Sequence, residues 1–226
     1  MAFINILIKY YPSFIAALIE TIKLSIISLI AATILGTIFG LFKITKNVVL
    51  KGIANIYIEI IRGTPLMVQA FIIYYGFAQL LRPIGFTWAS IGGAFTAGAI
   101  AMSLNAGAYM AEIIRSGIEA VDQGQMEAAR SLGLSYSKAM RKVIFPQALR
   151  IMLPSIINQF IISLKDTSIL SVIGIRELTM NGKIIAANSA SLVMAIWLVV
   201  AFFYFIVCLF LSCAAKIAER RLNYGK

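Results

Sequence analysis

The sequence predicts an all-α, polytopic membrane protein with five transmembrane helices. Of its 226 residues, 61% are hydrophobic and only 13% are charged, and the mean hydropathy is +0.92. A helix needs about 20 apolar residues to cross a hydrocarbon core of about 30 Å, and five runs of the chain approach that length. These runs do not alternate between apolar and polar residues, so helices are favoured over a closed barrel. The composition excludes a soluble globular domain.

The predicted elements form one transmembrane domain, residues 1–226. Residues 1–23 are expected to be an N-terminal interfacial helix, with Lys9 and Tyr10 at the level of the lipid headgroups. The spans follow at 24–42, 65–81, 91–110, 151–172 and 192–214. A polar segment, 112–150, separates the third span from the fourth, and an external segment, 171–191, precedes the fifth. In the first span Gly36 and Gly40 lie four residues apart, which predicts a close helix contact.

Basic side chains are retained on the cytoplasmic side of a membrane protein, and this orients the predicted spans. With the N-terminus outside, 14 of the 20 Lys and Arg residues fall on inner segments and 6 on outer segments. The polar segment 112–150 and the C-terminus are therefore predicted to be cytoplasmic. The net charge of +11 follows mostly from this asymmetry. No binding to nucleic acid is expected, because a basic balance in such a chain suits anionic lipid.

The polar segment carries ten charged residues between strongly apolar neighbours. Within it, residues 127–130 are helix formers, and Gly133 can adopt the left-handed conformation that ends a helix. A second helix is predicted over 135–145, and Pro146 is expected to break or redirect it. The segment suits a docking element for a partner in water. A solvated helical hairpin without a partner is the alternative.

Polar residues inside membrane spans are costly, so each one is a candidate for a transport pathway. At about 100° per residue, the polar positions of the third and fourth spans each fall on one narrow helix face. The candidate substrate-binding residues are Gln69, Asn105, Tyr109, Glu112, Gln159, Ser163 and Asp166. For the amides, the alternative role is to brace neighbouring helices. For the carboxylates, it is an ion pair with a nearby basic residue, Arg115 or Lys165.

Missing residues exclude several classes of function. The chain has no histidine, which removes histidine-based acid–base catalysis and most imidazole metal sites. It contains neither the G-x-x-x-x-G-K-[ST] sequence that binds ATP nor a G-x-S-x-G nucleophile elbow. We therefore expect a transport protein that is not itself an enzyme and binds no cofactor or metal. The rival interpretations are an oligomeric channel, a membrane-embedded enzyme and an ion-driven secondary transporter.

Three strings of residues resemble a known family. Glu127-Ala128-Ala129, followed by Gly133 and by residues 143–146, resembles the "EAA" signature of the membrane subunits of ABC importers. Val143 and Phe145 depart mildly from the usual Ile and Leu. The string Arg62-Gly63-Thr64-Pro65-Leu66 with Gln69, and the string Lys165-Asp166-Thr167-Ser168, are similar to the polar amino-acid subgroup. The resemblance extends over residues 14–214.

The resemblance implies a fold like that of type I ABC importer permeases, in the cytoplasmic (inner) membrane of a prokaryote. Its expected partners are two ATP-binding-cassette ATPase subunits, which hold ATP and Mg²⁺, a second permease protomer, favouring a homodimer, and an extracytoplasmic amino-acid-binding protein. The short helix of the signature would dock in the ATPase and couple ATP hydrolysis to alternating access. The ATPase-coupling residues would then be Glu127, Ala128, Ala129, Arg130, Ser131, Leu132 and Gly133.

The charges on the polar faces favour a cationic substrate. Two carboxylates, Glu112 and Asp166, lie on these faces, whereas Lys165 is the only basic residue within either span. A low-dielectric cavity with an excess of negative groups attracts cations. Arginine, lysine or histidine is therefore the expected substrate, and glutamine or glutamate is the alternative.

Overall fold

A computed structural model describes residues 2–223, and the regular elements over these residues are all helical. In chain order they are α1 (Ala2–Ile44), α2 (Val48–Arg62), α3 (Leu66–Ile84), α4 (Gly93–Glu119), α5 (Gln123–Ser131), α6 (Tyr136–Ile173), α7 (Leu178–Ala187) and α8 (Val193–Asn223). Four single helices within this range, α1, α4, α6 and α8, are long and apolar enough to cross a membrane. The bent pair α2–α3 makes five if it counts as one span.

Helix α1 has no boundary at the position that the sequence predicted. It runs for 43 residues without interruption, through Pro12 and past residue 23. At about 1.5 Å per residue this is roughly twice the thickness of a hydrocarbon core. A separate helix 1–23 is therefore not observed, because no glycine or proline interrupts the apolar sequence between residues 13 and 35. The interfacial placement of these residues stays a prediction.

Helices α1 and α4 share the most extensive contact between two described helices. Buried positions on α1 recur every four residues from Ser28 to Gly40 and face α4. A Cβ atom on Gly36 would lie 2.5 Å from Met110 Cβ, and one on Gly40 would lie 2.9 Å from the carbonyl oxygen of Ala111. The predicted close contact at these two glycines is thus confirmed. It fixes α4, which carries several of the candidate site residues, against the first span.

The second predicted span begins at a sharp break in the chain. Helices α2 and α3 meet at an angle of 102° across residues 63–65. Pro65 lacks an N–H group and disfavours the helical conformation in the residue before it, so α2 ends here. Helix α2 buries Ala54 and Ile58 against the rest of the fold. The break matters for function because it lies beside the largest polar cavities.

Pro146 does not end or redirect a helix, contrary to the sequence-based expectation. Helix α6 runs from Tyr136 to Ile173 through Pro146 and Pro154. A π-helical turn at Met140–Ile144 directly precedes Pro146. A wider turn of this kind rearranges the hydrogen bonds that a proline would disrupt. The polar segment is also more helical than expected, since residues 112–119 belong to α4 and residues 136–150 belong to α6.

The external segment is held by one buried carboxylate. Glu177 is fully buried and caps α7 by accepting hydrogen bonds from the backbone N–H groups of Thr179 and Met180, and from the Tyr204 hydroxyl on α8. Burial raises the pKa of the Glu177 carboxyl, although these hydrogen bonds oppose the shift. The N–H of the next residue, Leu178, donates to Thr21 on α1 over 3.1 Å. Residues 177–180 therefore connect α7 to both α1 and α8.

Candidate functional site

Two polar recesses adjoin one another between the end of α2 and helices α4 and α6. Arg62, Tyr109 and Gln159 line both of them. The recess that also contains Glu112 has a volume of about 630 Å³, and the one that also contains Asp166 has a volume of about 600 Å³. We call them the Glu112 recess and the Asp166 recess. Together they offer a continuous polar surface large enough for a small polar molecule.

The structure brings five of the seven predicted substrate residues to this surface. Tyr109 and Gln159 line both recesses, Asn105 and Asp166 line the Asp166 recess, and Glu112 lines the other. Gln69 and Ser163 do not line either one. Their exposed fractions are 7% and 2%, and both side chains hydrogen-bond within the protein. Their sequence positions matched the polar stripes, but the helix packing turned them away from the cavity.

Glu112 is surrounded by basic groups. Its carboxylate pairs with Lys43 at the end of α1, with Arg115 one turn further along α4 at 2.7 Å, and with Arg62 at the end of α2 at 3.8 Å. Arg115 also pairs with Glu119. The negative charge expected from the sequence is therefore neutralised, because Lys43 and Arg62 come from other helices. The electrostatic argument for a cationic substrate loses one of its two carboxylates.

Asp166 has a different environment. Its side chain is half-buried at the wall of the recess, and no ion pair within 4.0 Å or side-chain hydrogen bond involves it among residues 2–223. The suggested ion pair with Lys165 is not formed at that distance. A half-buried carboxylate without a protein partner is suited to a cationic group of a ligand.

Arg62 lines both recesses, although it was not among the predicted substrate-binding residues. Its guanidinium lies 5.2 Å from the centre of the Tyr109 ring, and Glu112 is its one ion-pair partner among the described residues. At 3.8 Å that contact is too long for a hydrogen bond, so the five N–H donors remain available to an anion. The signal in the sequence was a cation directly before the break at Gly63, Thr64 and Pro65, which line the Asp166 recess with it.

The segment predicted to couple to an ATPase is a short helix with an exposed end. Asp122 caps α5 by accepting from the N–H of Gly124 over 2.7 Å. Gly133 has a φ of 82°, and the N–H of Leu134 donates to the carbonyl of Ala129 over 3.2 Å. This is the left-handed helix end that the sequence predicted at Gly133. Of residues 127–133, only Ala129 is buried, whereas Leu132 is 84% exposed.

Comparison with known proteins places the chain in a family. A family model described as "Binding-protein-dependent transport system inner membrane component" matches residues 32–224. The chain belongs to this family. It is 40% identical over 204 residues to the glutamine transport system permease protein GlnP of Escherichia coli, with 90% of each chain covered. It is 38% identical to the L-cystine transport system permease protein TcyB of Bacillus subtilis, covering 95% of this chain and 88% of that one.

Two solved structures of ABC transporters superpose on this chain. The crystal structure of an amino acid ABC transporter with histidines has 42% sequence identity and a TM-score of 0.85, covering 95% of this chain and 96% of that chain. An inward-facing structure of the MetNI methionine ABC transporter gives a TM-score of 0.76 at 16% identity, which supports the fold alone. The predicted all-α polytopic fold and the resemblance to permeases of the polar amino-acid subgroup are confirmed by these matches.

Proposed function

We propose that this permease imports a polar amino acid and binds its zwitterionic headgroup in the Asp166 recess. The observation that carries the proposal is that Arg62 and Asp166 line the same recess, each without a hydrogen-bonded partner among residues 2–223. An α-carboxylate suits the guanidinium fork, and an α-ammonium group suits the carboxylate. Any amino acid shares these two groups, so the recess explains a preference for the class.

Glutamine is our first candidate for the substrate. The Glu112 recess adjoins the Asp166 recess. The carboxylate of Glu112 is already neutralised by Lys43, Arg62 and Arg115. A neutral polar side chain can enter such a region without separating charge pairs. Neutral hydrogen-bonding groups are available there, including those of Ser155, Asn158 and Gln159. The GlnP relative, whose name specifies glutamine, supports this choice.

A cationic amino acid is the second candidate, and two observations favour it. Asp166 is unpaired and could bind a basic side chain instead of the α-ammonium group. The similar amino acid transporter of known structure was crystallised with histidines. Arginine, lysine and histidine are therefore included among the amino acids tested. Glutamate is included as well, because the cations around Glu112 would reduce repulsion of its side chain.

The partners and the membrane follow from the family's mode of action. We propose that two ABC ATPases hold ATP and Mg²⁺ and grip residues 127–133, and that a second copy of the permease completes a homodimer. A binding protein would deliver the amino acid from outside the cytoplasmic membrane, in which the N-terminus faces outward and the C-terminus inward. The 84% exposure of Leu132 supports docking, because a large apolar side chain in water is suited to burial by a partner. Hydrolysis would then drive alternating access.

Reconstitution tests the proposal. The permease is assembled in proteoliposomes with the ATPase and binding protein encoded beside it, and amino acids are compared for uptake and for stimulation of ATP hydrolysis. Stimulation by glutamine, with little response to arginine, is the expected result. ATP-independent ion conductance or gradient-driven uptake would instead identify a channel or a secondary transporter.

Two variants separate the substrate candidates. Glu112→Gln is expected to leave the choice between glutamine and arginine unchanged, because that carboxylate is already neutralised. Asp166→Asn is expected to weaken both substrates by a similar factor if the carboxylate binds the shared α-ammonium group. A selective loss of arginine in either variant would assign a cationic substrate.

A further inference from the structure

The amide of Gln69 is fully engaged with the protein at the break between α2 and α3. Its Nε2 atom donates to the carbonyl of Ile61 over 2.7 Å and to that of Thr64 over 3.0 Å, and it lies 2.9 Å from Thr64 Oγ1. Its Oε1 atom accepts from Asn105 Nδ2 on α4 over 3.0 Å. Both ends of the side chain are therefore occupied, and neither is left for a ligand.

The break between α2 and α3 leaves backbone carbonyls without donors, and the amide of Gln69 supplies them. Helix α2 ends where Pro65 offers no N–H, so the last carbonyls of α2 lack donors from a following turn. Thr64 Oγ1 donates to the carbonyl of Ile60 over 2.8 Å, and Gln69 supplies donors to the carbonyls of Ile61 and Thr64. At membrane depth such groups must be satisfied by protein or by water in a cavity, and here the side chains of Thr64 and Gln69 satisfy them.

The hydrogen bonds also determine which way the amide points. In the reverse orientation, Gln69 Oε1 would face two carbonyl oxygens, and Nε2 would face the Nδ2 donor of Asn105. About one turn before Ile61 on α2, the Tyr57 hydroxyl donates to the carbonyl of Leu104 over 2.7 Å, beside Asn105. The end of α2 is thus joined to α4 at two neighbouring points.

We propose that Gln69 and Asn105 are positioning residues. They fix the backbone of the break at residues 63–65 in the conformation that binds the substrate. Gln69 closes the turn at residues 61–64, and Asn105 fixes Gln69 to α4. Arg62, Gly63 and Thr64 are thereby presented to the Asp166 recess, where Arg62 lies over Tyr109. This inference rests on the proposed function in one respect, since it assumes that the recess takes the amino-acid headgroup. It removes Gln69 from the set of substrate contacts that its sequence position suggested.

Hydrogen exchange tests the positioning role without any substrate. In the assembled permease–ATPase complex, Gln69→Leu is expected to speed amide exchange about tenfold in peptides covering residues 60–68, because the carbonyls of Ile61 and Thr64 lose their donors. Gln69→Glu keeps the size of the side chain but places oxygen against those carbonyls, so a similar increase is expected. Gln79→Leu makes the same change at an exposed position of α3 and serves as the matched control. Unchanged exchange in both Gln69 variants would overturn the proposal.

Ligand binding provides the second readout. The Kd of radiolabelled glutamine for the same complex is expected to rise about tenfold in Gln69→Leu, and the Kd of arginine, measured by displacement, is expected to rise by the same factor. ATP hydrolysis without substrate is expected to stay at the wild-type rate. A change in the ratio of the two Kd values would show that Gln69 touches the substrate side chain, and would overturn the positioning role.

The partner residue is tested with a double variant. Asn105→Leu is expected to raise both Kd values less than Gln69→Leu, and the double variant is expected to be no worse than Gln69→Leu alone, because the two residues act in series. Additive losses would mean independent roles. If no amino acid binds the wild-type complex, the proposed function fails, whereas faster exchange at residues 60–68 would still support the positioning role.

Discussion

The coupling segment (residues 123–133) and the Asp166 recess are built in opposite ways. In the coupling segment, the hydrogen bonds that cap the two ends of α5 join residues at most five apart in sequence, such as Asp122 with Gly124 and Leu134 with Ala129. In the recess, Arg62, Tyr109 and Asp166 come from three helices. The comparison teaches that the segment proposed to couple is built by local sequence, whereas the recess proposed to bind the substrate is built by tertiary packing.

The two regions also handle exposed groups differently. The coupling segment leaves an apolar side chain, Leu132, in water. The recesses place charged groups in the apolar part of the chain, and there most of the charges are paired, as in the cluster around Glu112. An exposed apolar group gains free energy when a partner buries it, whereas a charge in low dielectric must be compensated within the fold. Four variants test whether the regions are separable.

Arg62→Gln has the largest expected effect, and it is confined to the recess. Loss of the guanidinium removes charge-assisted hydrogen bonds to the substrate carboxylate, so the Kd of glutamine for the permease–ATPase complex should rise about 10- to 100-fold. Binding is measured with the radiolabelled amino acid. Arg150→Gln, at an exposed position of α6, is the control and should bind normally. Normal binding in Arg62→Gln would remove the headgroup site from this recess.

Leu132→Ser should affect the coupling segment alone. Burial of a leucine contributes about 1.5–3 kcal/mol, so association of the ATPase with the permease should weaken about tenfold or more while substrate affinity is retained. Association is measured by titrating labelled ATPase onto permease in nanodiscs. Leu149→Ser changes an exposed leucine of α6 outside the segment and should leave association intact. Equal losses in the two variants would argue against specific docking.

Gly36→Ala tests how far the recess depends on distant packing. The added Cβ would overlap Met110 Cβ and Cγ, and that Cβ cannot move without the backbone, so the variant should be destabilised by about 2–3 kcal/mol and should bind glutamine more weakly. Thermal unfolding in detergent measures the first effect. Gly52→Ala is matched to it, because its Cβ would meet nothing within 4 Å. A gain of about 0.5–1 kcal/mol is expected there from the better helix former.

Gly133→Val should have the smallest and most local effect. A β-branched residue is strained at a φ of 82°, which costs about 1–2 kcal/mol at the end of α5. Amide exchange should therefore increase over residues 128–134 without a matching change in α4 or α6. Gly133→Asn tolerates the left-handed conformation and should exchange almost like the wild type. Faster exchange spreading into α4 would mean that the segment is not an independent local structure.

Local patterns in the sequence predicted much of the fold. The long apolar runs predicted the spans, the spacing of Gly36 and Gly40 predicted a helix contact, and Gly133 predicted the end of a helix. Two sequence-based expectations about helix ends were wrong. Pro146 lies inside α6 because a π-helical turn accommodates it, and α1 has no boundary at residue 23 because nothing in the sequence there breaks a helix.

The candidate site was predicted less completely. A helical stripe indicates which residues share a face, but it does not say what that face meets. Ser163 shared the stripe of Gln159 and Asp166, yet it lines neither recess. Arg62 is far from Glu112 in sequence, yet its Nη1 atom lies 3.8 Å from Glu112 Oε1. Such pairings between helices are set by crossing geometry, which a single sequence does not specify.

By itself, the sequence determined the membrane environment, the helical spans and the coupling segment. These depend on hydropathy, helix propensity and capping, which act between near neighbours in the chain. Only the tertiary structure decided that Glu112 is paired with three cations, that Asp166 has no ion-pair partner among residues 2–223, and that the Gln69 amide donates to backbone carbonyls at the break. Each of these outcomes depends on which helix faces meet, because the energy of a charge or an amide in low dielectric is set by the groups packed against it.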